Sequence, residues 1–158
     1  MRHNANESAM AGAAAEPGDA ELEPLRHTGY LIRRAQQAHV AAWMRLVSTE
    51  ISSVQYTILV MLDQMGELSQ RELCDHVDLD RSTIADVVSR MERRGLIERC
   101  RDPADARRNN VTLTALGRRE RERLRPLVAQ VDRELTGGLS HADREALRRG
   151  LKLLLAGR

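Results

Sequence analysis

Along residues 80–95, guanidinium groups and short hydroxyls gather on one helical face: Arg81, Ser82, Thr83, Asp86, Ser89, Arg90 and Arg93. Arginine forks match phosphates and guanine edges, and small hydroxyls fit between base edges, so this face offers hydrogen bonds to a duplex. A second arginine pair, Arg107 and Arg108, ends the stretch Asp102-Pro-Ala-Asp-Ala-Arg-Arg, where Pro103 and the aspartates favour a turn. An arginine on a narrow protrusion suits the minor groove, whose negative potential is strongest in narrow A·T-rich DNA. Asp102 or Asp105 can hold it there through a charge-assisted bond. As an acid–base pair, these two aspartates lack the nucleophile, Gly-rich loop or metal-ligand spacing that an enzyme needs.

A second constellation lies earlier in the chain. All three aromatic side chains, Tyr30, Trp43 and Tyr56, fall within the first two helical segments. His39 and Trp43 stand one turn apart, as do Tyr30 and Arg34, with Arg33 beside them. Together they would supply a stacking wall, two phenols and a guanidinium fork, the ingredients of a pocket for an aromatic acid. The bland reading of each aromatic is core or dimer packing.

The elements that must position these groups follow from local signals. Leu31, Ala35, Ala38, Ala42 and Leu46 repeat at helical spacing, predicting a long first helix from near Pro24 to about Ser48. Ser52 to Gln55 and Ser69 to Glu72 are capping boxes, the first opening a helix that Gly66 ends, the second a short helix reaching about Val77. Ser69, at that start, joins the expected DNA-contacting set. Asp80 caps the next helix, Ile84, Val87, Val88 and Met91 form its buried stripe, and Gly95 gives a left-handed exit. A short helix, a turn near Asp78 and a polar-faced helix make the helix-turn-helix plan, whose second helix enters the major groove.

Residues 96–101 and 110–114 alternate apolar and polar, predicting a β-hairpin wing with Arg107 and Arg108 near its tip. Thr114 caps a long charged helix containing Pro126, where a kink is expected; Gly137-Gly138 breaks it, and Ser140 opens a last helix with Leu147, Leu151, Leu154 and Leu155 on one side. The fold class is mainly α with a small β-hairpin wing. The first helix and the two last ones would expose apolar stripes in a monomer, so they are expected to intertwine with a second copy.

Composition agrees. The chain has 158 residues, 42% of them apolar and only 2% aromatic, which favours aliphatic helix-on-helix packing. The net charge of +2 hides a partition. Residues 1–80 carry 6 Arg against 12 acids, residues 81–125 carry 13 Arg against 7 acids, and residues 126–158 carry 6 basic groups against 4 acids. The basic middle suits a polyanion partner. Residues 1–20 read as a disordered tail. Cys74 and Cys100 form no disulfide framework and suit a reducing cytoplasm, with Cys74 the candidate for a redox-sensing alternative. His3, His27, His39, His76 and His141 lack zinc-site spacing, and no cofactor is expected.

Ser53-Val-Gln-Tyr-Thr-Ile-Leu, Leu73 to Val77, Ser82-Thr-Ile to Arg94-Gly-Leu-Ile-Glu-Arg, Asp102-Pro-Ala-Asp-Ala-Arg107 and Leu113-Thr-Ala-Leu-Gly117 resemble the MarR family of winged-helix regulators. The resemblance covers roughly residues 25–156. It implies a homodimer on a pseudo-palindromic DNA operator, with the helix from Arg81 in the major groove and the wing at Arg107 in the minor groove. It also implies repression, relieved by a small phenolic or aromatic acid effector. Gly29-Tyr-Leu-Ile-Arg-Arg-Ala-Gln-Gln is similar to the branch that controls aromatic-acid breakdown, including regulators responding to a hydroxynicotinate. Asn109-Asn110 departs from the basic or β-branched residues that the family often has there. The expected organisation is a single domain over residues 21–158, with a winged-helix part at 50–116 and dimerisation helices at 22–48 and 117–156. A winged-helix protein-interaction module is the other class, against which Arg81, Arg90, Arg93, Arg107 and Arg108 argue.

Overall fold

The computed structural model describes residues 22–101 and 109–157. The expected tail and the wing tip, with Asp102, Asp105, Arg107 and Arg108, lie outside the described residues. The chain divides into two compact units, residues 1–34 and residues 35–158.

In the first unit, the continuous helix expected from near Pro24 is interrupted. Glu23–Arg26 forms a 3-10 turn, and the first α-helix, α1, spans Thr28–Leu46. The His27 N–H closes onto the Pro24 carbonyl at 3.1 Å, a three-residue loop, and His27 is itself extended at φ −98° and ψ 114°. Proline supplies a preset φ for a first turn but cannot by itself propagate the wider four-residue repeat.

The second unit holds the rest of α1 and the elements α2 (Ser53–Met65), β1 (Leu68–Ser69), α3 (Gln70–Val77), α4 (Arg81–Arg93), β2 (Ile97–Arg101), β3 (Asn109–Leu113), α5 (Ala115–Thr136) and α6 (His141–Ala156). The capping boxes are both complete: Gln55 N–H donates to Ser52 Oγ and Ser52 N–H to Gln55 Oε1, and the same exchange joins Ser69 and Glu72. Thr114 and Ser140 cap α5 and α6 by accepting from Gly117 N–H and Asp143 N–H. These bonds satisfy donors that every helix start leaves open.

The sheet runs β1-β3-β2, all antiparallel, with Ile97 opposite Leu113 and Leu68 opposite Val111. Sequence alternation located the hairpin but not β1, whose two residues are too short to show a period. The core joins Trp43 and Ala42 of α1, Ile58, Leu59 and Leu62 of α2, Leu73 of α3, the α4 stripe, and Leu124 and Val131 of α5. Gly95, at φ +70°, turns the chain out of α4. Thr114 then stitches the start of α5 to that turn, its N–H donating to the Leu96 carbonyl at 3.2 Å and its hydroxyl to the Gly95 carbonyl at 2.6 Å. No helix among the described residues is long and apolar enough to cross a membrane.

Candidate nucleic-acid interface and effector cavity

Helix α4 packs on α3 and β2 through Ile84, Val87, Val88 and Met91, all buried. The 3.6-residue period then leaves Arg81, Ser82, Asp86, Arg90 and Arg93 exposed, with Thr83 and Ser89 half-buried beside them. Between α3 and α4, Asp78 takes a left-handed conformation at φ 50°, which Asp tolerates, and its N–H reaches the Cys74 carbonyl. That single residue sets the sharp turn of the helix pair.

The entrance of α4 is organised by Asp80. Its Oδ1 accepts from Thr83 N–H at 2.9 Å and from the Ser82 hydroxyl, and its Oδ2 accepts from the Thr83 hydroxyl at 2.6 Å. These donors, the Ser82 hydroxyl foremost, hold its carboxyl well below the usual carboxylate range. Asp80 is therefore ionised at neutral pH. At the other end of α4, Arg94 donates to the Glu50 carbonyl at 2.6 Å and pairs with its carboxylate at 3.0 Å. Glu92 accepts from Arg99 of β2 at 2.8 Å, and this bond lowers the Glu92 pKa, so the hairpin base is tied to α4.

Ser69 does not belong to this face. It is 6% exposed, pairs in β1 with Asn110 and uses its hydroxyl on Glu72, so its place among DNA-contacting residues is corrected: the capping box and the unexpected strand together take it inside.

Of the aromatic constellation, the second unit gathers His39, Trp43 and Tyr56. The Trp43 ring lies 5.9 Å from His39 and 5.8 Å from Tyr56, both tilted, and its Nε1–H donates to the Ile51 carbonyl at 2.7 Å. These rings line a cavity of about 560 Å³, with Val60 on α2, His76 and Val77 on α3 and Val128 on α5. That volume is of the size that holds small organic ligands. The His39 Nδ1 is buried and has no hydrogen-bond partner among the described residues. Trp43 and Ser53 also border a cavity of about 390 Å³ whose lining includes Glu50 and Arg90. Tyr30, Arg33 and Arg34 belong to the first unit and form their own cluster: Arg34 donates to the Tyr30 hydroxyl at 3.1 Å, and the Arg33 guanidinium lies 5.2 Å from the ring centre.

His76 was not foreseen as a lining residue. The signal was present but ambiguous, a histidine three positions after buried Leu73 and next to Val77 on a short helix. Cys74 packs half-buried against the core, and Cys100 is exposed on β2. Among the described residues no cluster of His, Cys, Asp and Glu could hold a metal ion.

Comparison with known proteins places this arrangement. Residues 51–108 match the model of the MarR family. A solved structure of the PcaV transcriptional regulator from Streptomyces coelicolor, in complex with its natural ligand, is 40% identical, with a TM-score of 0.80 over 88% of this chain and 98% of that one. The structure of Bordetella bronchiseptica BpsR, described in terms of regulation of DNA binding by 6-hydroxynicotinic acid, is 32% identical, with a TM-score of 0.75 over 80% of this chain and 96% of that one. The HTH-type transcriptional repressor NicR of Pseudomonas putida is 31% identical over 120 residues, 75% of this chain and 76% of its own length. A polar-faced helix behind a tight turn, a β-hairpin beside it and likeness to such regulators over three quarters or more of the chain lead to one conclusion: the chain belongs to the MarR family of DNA-binding transcriptional regulators, and is not an enzyme.

Proposed function

We propose that this regulator is a homodimeric repressor that binds a pseudo-palindromic operator and leaves it when a small aromatic carboxylic acid or phenol enters the His39–Trp43–Tyr56 cavity. The observation that carries the reading is that cavity, walled by α3 of the helix-turn-helix pair and by α1, α2 and α5. A ligand there presses on the helix that supports α4. Trp43 extends the contact, since it borders both this cavity and the one reaching Arg90. Tilted rings offer stacking surfaces, while His39, His76 and the Tyr56 hydroxyl offer polar ends for a carboxylate or phenol. The 6-hydroxynicotinic acid named for BpsR, the binding of a natural ligand by PcaV and the repressor designation of NicR support this assignment of class.

The DNA contacts in this reading are Arg81, Ser82, Thr83, Asp86, Arg90 and Arg93, together with the wing arginines Arg107 and Arg108, oriented by Asp102 and Asp105. The winged-helix part spans residues 50–116. Half-sites then lie about 10 bp apart centre to centre.

The test is a thermal-shift screen against hydroxybenzoates and hydroxynicotinates, followed by release of operator DNA by each compound that stabilises the protein. A ligand at about 100 times its Kd adds roughly 2.7 kcal/mol of stability, a shift that such a screen resolves easily. His39→Ala and Tyr56→Phe are expected to bind operator as the wild type does, and to require at least about 10-fold more ligand for release, as loss of a buried polar contact predicts. Loss of DNA binding in both would mark them as structural instead.

The dimer draws support from α6, which buries none of its residues and exposes Leu147, Leu151, Leu153, Leu154 and Leu155. Monomers rarely leave so continuous an apolar stripe in water. Leu151→Asp is expected to shift the sedimentation coefficient from that of a dimer to that of a folded single chain, and to weaken operator binding in parallel. Unchanged sedimentation would place the interface elsewhere.

A further inference from the structure

We infer that Asp80 is a specificity-determining residue that acts through Ser82 and Thr83: it fixes both hydroxyls as hydrogen-bond acceptors toward the duplex, so that the operator carries adenine or cytosine on the contacted strand where they meet it. The inference rests on the proposal that α4 lies in the major groove.

A hydroxyl has one proton and two lone pairs, and an ionised carboxylate only accepts. Both hydroxyl protons point at Asp80, the Ser82 proton toward Oδ1 and the Thr83 proton toward Oδ2. What the two side chains present outward is lone-pair density. In the major groove adenine N6 and cytosine N4 are donors, whereas guanine O6 and N7 and thymine O4 are acceptors. An acceptor facing O6 or O4 is left without a partner and loses its water as well, which is the asymmetry that gives hydrogen bonding its selectivity. Every base pair has one amino group in this groove, so the hydroxyls read the strand on which it stands. Donors on the same face are the guanidiniums of Arg81, Arg90 and Arg93, which divides the work: arginines meet guanines and phosphates, and the hydroxyls meet amino groups.

Asp80→Asn separates this role from capping. Asn is as good an N-cap as Asp, and its single oxygen can keep the Thr83 N–H bond. Its NH₂ group then donates to a hydroxyl oxygen, freeing that hydroxyl's proton to point at the duplex. The experiment is selection of binding sites from random duplexes by the full chain, wild type and D80N, with thermal melting as a fold control. Wild type is expected to select adenine or cytosine at one or two positions of each half-site, and D80N to move at least one of them toward guanine or thymine. S82A and T83V should each erase the preference at a single position. With the wild-type protein, replacing the selected base by an analogue lacking its exocyclic amine should weaken binding about 5-fold, the size of one net hydrogen bond.

Identical base rankings for wild type and D80N overturn the inference and leave the groove placement of α4 standing. If D80N does not fold, the analogue measurement decides alone, and an unchanged affinity there overturns it. A wild-type protein that selects no sequence overturns the DNA-reading proposal itself.

Discussion

Raising monovalent salt from 50 to 200 mM is expected to weaken operator binding by about 10³-fold, measured by gel shift or fluorescence anisotropy. The slope of that response is set by the arginines that no acidic side chain holds. In the basic middle of the chain, Arg94 is held by Glu50, Arg99 by Glu92, Arg121 by Asp63 at 3.2 Å and Arg123 by Glu120. The first three pairs tie elements together and the fourth lies within α5, and all four have little charge left for a partner. Arg81, Arg90 and Arg93 are exposed on α4 and make no ion pair among the described residues. Three such groups on each of two subunits neutralise about six phosphates, and each phosphate contributes a slope of about −0.9 in log affinity against log salt. Wing arginines would steepen the response. Arg93→Ala is expected to lower the slope by about one unit for each half-site while leaving base preference unchanged. A flat salt response would remove this face as the phosphate-contacting surface.

Gly117→Ala is expected to cost at least about 3 kcal/mol of folding stability, at the upper end of what an overpacked site usually loses. A methyl group on Gly117 would lie 2.0 Å from the Leu96 carbonyl oxygen and 3.0 Å from Leu113 Cδ2. The first neighbour is backbone, pinned by its bond from Thr114 N–H, so it cannot swing aside as a side chain would. Relief requires α5 to lift from the start of β2. Since α5 brings Leu124 and Val131 into the core, lifting it exposes apolar surface and loosens the sheet at once. For a chain of this length the loss corresponds to a melting point lower by roughly 6–12 °C. Urea denaturation should show an earlier midpoint with an unchanged slope. A midpoint within error of the wild type would mean that the approach of helix and strand is softer than its geometry states.

Both expectations rest on groups that the sequence exposes to different degrees. The free arginines of α4 were legible, because one helix period separates Ile84, Val87, Val88 and Met91 from Arg81, Arg90 and Arg93. Gly117 carried no such mark. It reads as an ordinary residue in the first turn of a helix, and only the meeting of α5 with the Leu96 backbone makes its missing side chain necessary. Ser69 shows the converse. Its capping box was plain in the sequence, yet the same residue pairs with Asn110 in a strand too short to show a pattern, which removes it from the surface it was expected to join.

The effector cavity divides in the same way. His39 and Trp43 stand one helical turn apart, so their ring contact was visible as spacing. Tyr56 and His76 come from α2 and α3, and nothing in the intervals between them says that they border one cavity. The first helix runs to Leu46, close to its expected end, with Ala42 buried and Leu31, Ala35 and Ala38 exposed, but its start shifted to Thr28 because the turn at Pro24 closes over three residues.

The amino-acid sequence by itself determined where the capped helices α2 to α6 begin, which face of α4 is apolar and where the positive charge collects. These depend on interactions within about four residues: a hydroxyl or carboxylate reaching the next turn's N–H, or a side chain recurring every 3.6 positions. Only the tertiary structure decided that Ser69 is inside, that Gly117 can have no side chain, and that His76 joins His39 and Tyr56. Those outcomes depend on how packed helices and strands approach one another, a property of the assembled core that no local spacing encodes.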